Sequence, residues 1–329
     1  MNSQFTVIQM IPKVPFDLYV ASCEKDGGIY QYQISDQEKP RLIGFTPMDR
    51  PMYMTVANGK MYVLLRAPFE NGESGLISYD IGTEGRLQNP SKILSTKGEV
   101  ACHLTVDGED IYAVNYISGS VIKLPDRLVT HTGKSVHAER QTSPHTHFVS
   151  PAPDGEYLVV TDLGVDKIFI YHKDLTLAST VNIPSGHGPR HLAFHEDGTH
   201  VFCANELEST VSLLKYENGT MELIETVSAL PKSFKGQSTT AAIRCVGNTV
   251  YISNRGHDSI SVLEFLDHRL SLKKTLSSHG KCPRDFLVCH NWIAVANELS
   301  DEVTLISAEK EHLVGKIAVN SPVCLIAGQ

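Results

Sequence analysis

His147, Arg190, Glu206, Arg255, Arg284 and Glu298 are the residues of this sequence whose types suit chemistry on a small anionic molecule. An imidazole or a carboxylate, His147 or Glu206, can take a proton from water. A guanidinium such as Arg190 can stabilise an oxyanion. A further guanidinium, Arg255 or Arg284, can hold an anion in a bidentate contact. No Gly-x-Ser-x-Gly turn occurs, so direct attack by water is favoured over an acyl-enzyme. The same residues suit a structural reading. Arg190 with Glu206, and Arg284 with Glu298, would make inter-strand ion pairs, and His147 a hydrogen-bonded core histidine. His145 and His147 lie two apart, as a metal-binding pair would, but no clear third ligand accompanies them. Neither a metal nor a cofactor is expected. His191 and His195 read as blade packing.

These residues are far apart in sequence, so a repeat must bring them together. Residues 102–124, 145–171, 189–216, 241–265 and 283–306 share one plan: apolar strand, tight polar turn, apolar strand, polar loop, third strand. Degenerate copies begin at Leu18 and Pro51. The residue after each second strand (Ser22, Leu65, Asn115, Asp162, Asn205, Asn254, Asn297) recurs every 43 to 50 residues. Asn58-Gly59, Asp107-Gly108, Asp154-Gly155 and Asp197-Gly198 fit two-residue hairpins. A fourth strand fits between units, at Leu177 to Ile183 and Leu223 to Ser228. The prediction is an all-β, seven-bladed β-propeller with four antiparallel strands per blade, one domain over residues 1–329. Ser321 to Ile326 reads as a first strand without a second, and Leu18 to Ser22 as a second without a first. The C-terminal strand should therefore close the first blade and remove an open edge. With one Trp and no recurring Trp-Asp, a WD-repeat propeller is not expected.

In a propeller the start of each first strand and the loop after each second strand share one rim. Aligned first strands offer Met52, Cys102, His147, Arg190, Thr240 or Ala241, Arg284 and Val323 at one equivalent position. The loops add Cys23, Tyr116, Leu163, Glu206, Arg255 and Glu298, with Arg66 nearby. Ionisable groups crowd the side formed by blades four to seven. Charges placed in a half-buried ring are costly unless paired or used. The recurring Asn205, Asn254 and Asn297 suit loop geometry.

Composition narrows the partners. The chain has 329 residues, 29 basic and 37 acidic, for a net charge of −8. That balance argues against nucleic acid as a partner, although a local Arg cluster can still bind an anionic small molecule. No apolar run approaches the roughly 18 residues of a membrane helix. Met1 to Met10 lacks a basic region and an apolar core, so no signal peptide is expected and a cytoplasmic location is. Seven Cys, none in a two-residue-gap pair, read as reduced core residues. A monomer is expected, since a closed ring needs no partner.

Gly186-His187-Gly188-Pro189-Arg190-His191, Asn205-Glu206-Leu207, Ser253-Asn254-Arg255, Pro283-Arg284 and His145-Thr146-His147 together resemble the seven-bladed lactonase propellers. That family includes bacterial 6-phosphogluconolactonases and fungal carboxymuconate lactonizing enzymes, and the resemblance spans nearly the whole chain. It implies an active site on one channel mouth, with His147, Arg190, Glu206 and Arg255 at candidate catalytic positions. His145, Asn205, Arg284 and Glu298 are the accompanying substrate-binding candidates. One departure is Ala242, where the family often has an acidic residue after Ala-Ala. The expected activity is hydrolysis of a phosphorylated sugar lactone, 6-phosphogluconolactone above others, in carbohydrate metabolism through the pentose phosphate pathway. A cycloisomerase or lactonase acting on a carboxylated lactone, and a non-catalytic binding propeller, are the alternatives.

Overall fold

Short runs of alternating apolar residues fold here into hairpins, and the hairpins into seven sheets arranged radially. The computed structural model describes residues 15–35, 38–289 and 292–328. The reading of Met1 to Met10 lies outside these residues. From the second blade on, the sheets follow the chain. Their innermost strands are Pro51–Ala57, Ala101–Asp107, Thr146–Pro151, Pro189–Phe194, Thr239–Val246 and Pro283–Cys289. In blade one the innermost strand is Pro322–Ala327, which pairs antiparallel with Phe16–Ser22 from the other end of the chain. Each innermost strand packs against the next, and the series returns to its start, so the ring is closed. Every blade has four antiparallel strands, and in blade two the outer edge is split into Leu87–Gln88 and Leu94–Ser95. Among the described residues no helix is long and apolar enough to cross a membrane.

The apolar faces bury between blades. Among the described residues seven core clusters occur, one for each pair of neighbouring blades. Blades five and six, for example, close on Phe202, Leu213, Ile252 and Phe265. Truncating a buried Phe such as Phe202 to Ala would cost about 3–5 kcal/mol.

The hairpin turns differ from expectation in two places. Asn58 and Gly59 both have positive φ and form a two-residue turn, and Gly108 leads a two-residue turn with Glu109. Asp154-Gly155 and Asp197-Gly198 instead sit inside four-residue turns. There the aspartate accepts backbone N–H groups: Asp154 Oδ1 from Glu156 (2.9 Å), and Asp197 Oδ1 from Thr199 (2.8 Å) and His200 (2.9 Å). Side-chain acceptance of this kind lets Asp organise a longer turn.

One irregularity recurs around the ring. In each blade the ladder between the first two strands skips a residue of the innermost strand near its start. The skipped residues are Met52, Cys102, His147, Arg190, Arg284 and Val323, and in blade six Ala241 with Ala242. A β-bulge of this kind re-aims a side chain and is favoured beside functional sites.

Candidate active site

The bulges turn their residues into the channel. A narrow cavity at one mouth is lined by Met52, Cys102, His147, Arg190, Arg284 and Val323, six of the seven positions that the repeat had aligned; the blade-six position, Thr240 or Ala241, does not line it. Tyr53, His191 and Asp285, each following a bulged residue, line it as well.

Arg190 is held from both sides. The preceding loop is pinned by Asp166, whose carboxylate accepts the N–H of Gly186 and of Gly188, both at 2.7 Å. Gly188 has φ +66°, and a Cβ there would meet Leu207 Cγ at 2.8 Å. Arg190 Nη1 donates to the Ala241 carbonyl (2.8 Å) and Nε to Glu206 Oε2 (3.1 Å). Glu206 is placed by its own N–H, which donates to the Gly188 carbonyl at 2.7 Å.

Glu206 is the hub of the mouth. Its carboxylate, 3% exposed, also accepts from Arg140 Nη2 (2.6 Å) and lies 3.0 Å from Arg255 Nη2. Burial alone would raise its pKa. Arg255 and Arg190, helped by His147 and Arg140, outweigh burial and hold it well below the usual carboxylate range. Burial and the neighbouring Arg255 pull Arg190 down to about 10, which leaves it cationic at neutral pH. Arg284 pairs with Glu298 at 3.1 Å, and that pairing outweighs burial and raises its pKa.

His147 is buried and opposite in character. Burial, then the Arg190 charge, pushes its pKa well below 6.5, so the imidazole is neutral at pH 7. Its Nδ1 lies 3.7 Å from Cys102 Sγ. Burial pushes the Cys102 thiol up to about 12, so it too stays neutral.

The other expected site residues sit further out. His145 stacks on Tyr116 (4.5 Å between centroids), and its Nδ1 is 2.9 Å from the Tyr116 carbonyl. It precedes its strand, whereas His147 is the bulged residue. Among the described residues the two do not gather into a metal-ligand group. Asn205 is not brought to the cavity. It is buried in the blade, and its Nδ2 donates to Thr210 Oγ1 (3.0 Å) and Ser212 Oγ (2.9 Å), with Asn254 repeating the arrangement on Ser259 and Ser261.

Several residues at the site escaped sequence reasoning. Arg140 comes from the long connection between blades three and four, and also donates to the Tyr116 hydroxyl (3.0 Å). The signal was the length and polarity of that connection, since such loops are often functional. His191 lines the cavity rather than packing in the blade, and its Nε2 is buried with no hydrogen-bond partner. With Tyr53, His103 and Phe148 it forms an aromatic floor of tilted and edge-on rings, His103 lying 4.3 Å from both Tyr53 and Phe148. Beside this floor Arg244 Nη2 donates to Asp285 Oδ1 at 2.6 Å.

Comparison with known proteins agrees with this architecture. The profile of the family described as "Lactonase, 7-bladed beta-propeller" matches residues 17–327. An uncharacterized protein of Staphylococcus epidermidis is 30% identical over 343 residues, covering 94% of this chain and 98% of its own. Among solved structures, a protein from Lactobacillus plantarum (26% identity, TM-score 0.86) covers 96% of this chain and 99% of its own. The Pseudomonas aeruginosa periplasmic gluconolactonase (25%, TM-score 0.84) covers 95% and 98%. A Bacteroides fragilis chain described as a candidate 6-phosphogluconolactonase (23%, TM-score 0.86) covers 97% and 100%, a likeness of fold. The closed ring of seven blades and the match across residues 17–327 place this chain in the lactonase family of seven-bladed β-propellers.

Proposed function

We propose that the protein hydrolyses a phosphorylated sugar lactone at this mouth, 6-phosphogluconolactone to 6-phosphogluconate being the favoured reaction. The observation that carries the reading is a local surplus of positive charge in an acidic chain. Arg140, Arg190 and Arg255 converge on one carboxylate, Glu206, and Arg284 meets Glu298. Four guanidiniums against two carboxylates leave two positive charges, while the whole chain carries −8. A phosphate monoester brings about −1.5 to −2 at neutral pH. A neutral lactone brings no such charge, and a single carboxylate about half of it.

Water adds to the lactone carbonyl carbon, and Arg190 faces the resulting oxyanion. Collapse breaks the ring C–O bond, and the departing oxygen leaves as an alcohol. His147 takes the water proton and returns it to that oxygen, because its neutral imidazole has a free lone pair. Glu206 instead has both oxygens committed to the guanidiniums of Arg140, Arg190 and Arg255. It is a positioning residue that holds Arg140, Arg190 and Arg255.

Lactone opening, followed spectrophotometrically above its spontaneous background, tests the reading. The expected result is a higher kcat/KM for 6-phosphogluconolactone than for gluconolactone. Arg190→Ala should lower kcat/KM by about 10²–10³. Arg255→Ala should raise KM for the phosphorylated substrate and leave gluconolactone less affected. A preference for gluconolactone would move the assignment toward the activity that the Pseudomonas protein is named for. Equal rates for wild type and Arg190→Ala on every phosphorylated and carboxylated lactone would leave a binding propeller.

A further inference from the structure

The rim opposite the mouth carries a second gathering of ligand-type side chains, built from hairpins of blades five and six. In blade five, His195 and His200 flank the four-residue turn that contains Asp197. With Asp197 Oδ1 occupied by two backbone N–H groups, Oδ2 is turned toward the imidazoles. It lies 3.0 Å from His195 Nδ1 and 2.6 Å from His200 Nδ1. Both imidazoles are nearly buried and pack on the Phe265 ring at 5.1 and 4.8 Å, while Asp197 is 35% exposed and leaves the group open to solvent.

The outer nitrogens supply an independent observation. His195 Nε2 is 3.0 Å from Asn248 Oδ1, an oxygen that can only accept, so Nε2 carries the hydrogen. Nδ1 is then the ring nitrogen turned to Asp197, 3.0 Å from its carboxylate and 3.3 Å from its backbone N–H. His200 Nε2 meets His268 Nδ1 at 3.1 Å. Each inner imidazole is thus oriented by a partner from blade six, as the ring N–H of a metal-bound histidine usually is.

We propose that His195 Nδ1, Asp197 Oδ2 and His200 Nδ1 bind one divalent transition-metal ion of the zinc class, with solvent as the fourth ligand. Two imidazoles, a carboxylate and water match the donors zinc takes in a tetrahedral site. Zinc–ligand bonds of about 2.0–2.1 Å need donor atoms roughly 3.3 Å apart, so binding would widen the His195–Asp197 contact of 3.0 Å by about 0.3 Å and the His200–Asp197 contact of 2.6 Å by about 0.7 Å. Through Asn248 and His268 the ion would tie blade five to blade six, away from the mouth.

The test uses the full chain, stripped with a chelator and titrated with Co²⁺ and then Zn²⁺ at pH 8. The expected result is one Co²⁺ per chain, with the absorption of a tetrahedral nitrogen–oxygen site and no thiolate charge-transfer band, displaced by Zn²⁺. The His195→Ala/His200→Ala double variant should bind at least 100-fold more weakly and open the lactone at the wild-type rate. Failure of the wild type to bind Co²⁺ stoichiometrically would overturn the proposal, leaving a hydrogen-bonded His–Asp–His cluster of structural role. So would a thiolate spectrum, or equal affinity in the double variant. The wild-type spectrum decides even if the double variant does not fold.

Discussion

The two halves of the channel mouth share one backbone and differ in side chains. In six of the seven blades a bulge turns one residue of the innermost strand inward, while blade six skips Ala241 and Ala242 and sends no side chain into the cavity. In blades one to three that residue is Val323, Met52 or Cys102, and in blades four, five and seven it is His147, Arg190 or Arg284. The loops repeat the contrast less strictly: Cys23 and Tyr116 stand against Glu206, Arg255 and Glu298, while Arg66 beside Cys23 and Leu163 in blade four cross it. The bulge therefore belongs to the architecture, and the chemistry to what occupies it. An apolar half can serve as a wall while the charged half holds an anion.

The most damaging change to the charged half should be Glu206→Gln. Three guanidiniums would then face a neutral amide. Removing one partner from a buried ion pair typically costs about 3–5 kcal/mol, and urea denaturation should show a loss of that size. Inorganic phosphate should restore stability more in the variant than in wild type, because an anion replaces the missing charge. A variant as stable as wild type and indifferent to phosphate would mean that Glu206 is not the hub.

Acid should act next, through the histidines beneath the mouth. Burial, with the Arg244 and Arg190 charges, lowers His103 to about 3, and burial and Arg190 lower His147 and His191 well below 6.5. All three bind protons more weakly folded than unfolded. Stability is therefore complete above pH 6.5 and falls as pH drops below the unfolded value, down to each folded one. Three such protons amount to about 3–4 kcal/mol between pH 7 and 5.5. The lowered pKa of Glu206 adds its own loss only as pH falls below about 4.5. Denaturation curves at the two pH values measure the slope, and His103→Gln should remove about a third of it. A flat profile would mean that the floor is open to water.

The sequence made the ring, its closure and the bulged positions legible, because strand alternation and the spacing of the polar loops are local signals. Alternation failed one residue later. Counting strictly in twos assigns His191 to blade packing, yet the bulge at Arg190 breaks the alternation, and both line the cavity. Tyr53 and Asp285 were hidden for the same reason. Arg140 was hidden because it belongs to no repeat. It reaches Glu206 across 66 residues from a connection whose path only the fold defines. Asn205 shows the converse: adjacency to Glu206 in sequence placed it with the site, but the strand directs its side chain into the blade.

The smallest effects should come from the apolar half, and they sharpen the contrast most. Met52 lines the same cavity as Arg190, and its Sδ accepts from Cys23 Sγ at 3.2 Å. Met52→Leu nearly conserves volume and should cost less than about 1.5 kcal/mol. Cys102→Ala removes one buried sulfur from beside His147 without removing a charge. Both variants should keep kcat/KM for the phosphorylated lactone within roughly threefold of wild type, a change of less than about 1 kcal/mol. A loss in Met52→Leu comparable to that of Arg190→Ala would make the wall a participant, since position in the ring would then matter as much as charge. A loss confined to Cys102→Ala, with the pH profile shifted, would instead place the thiol as a support for the His147 imidazole.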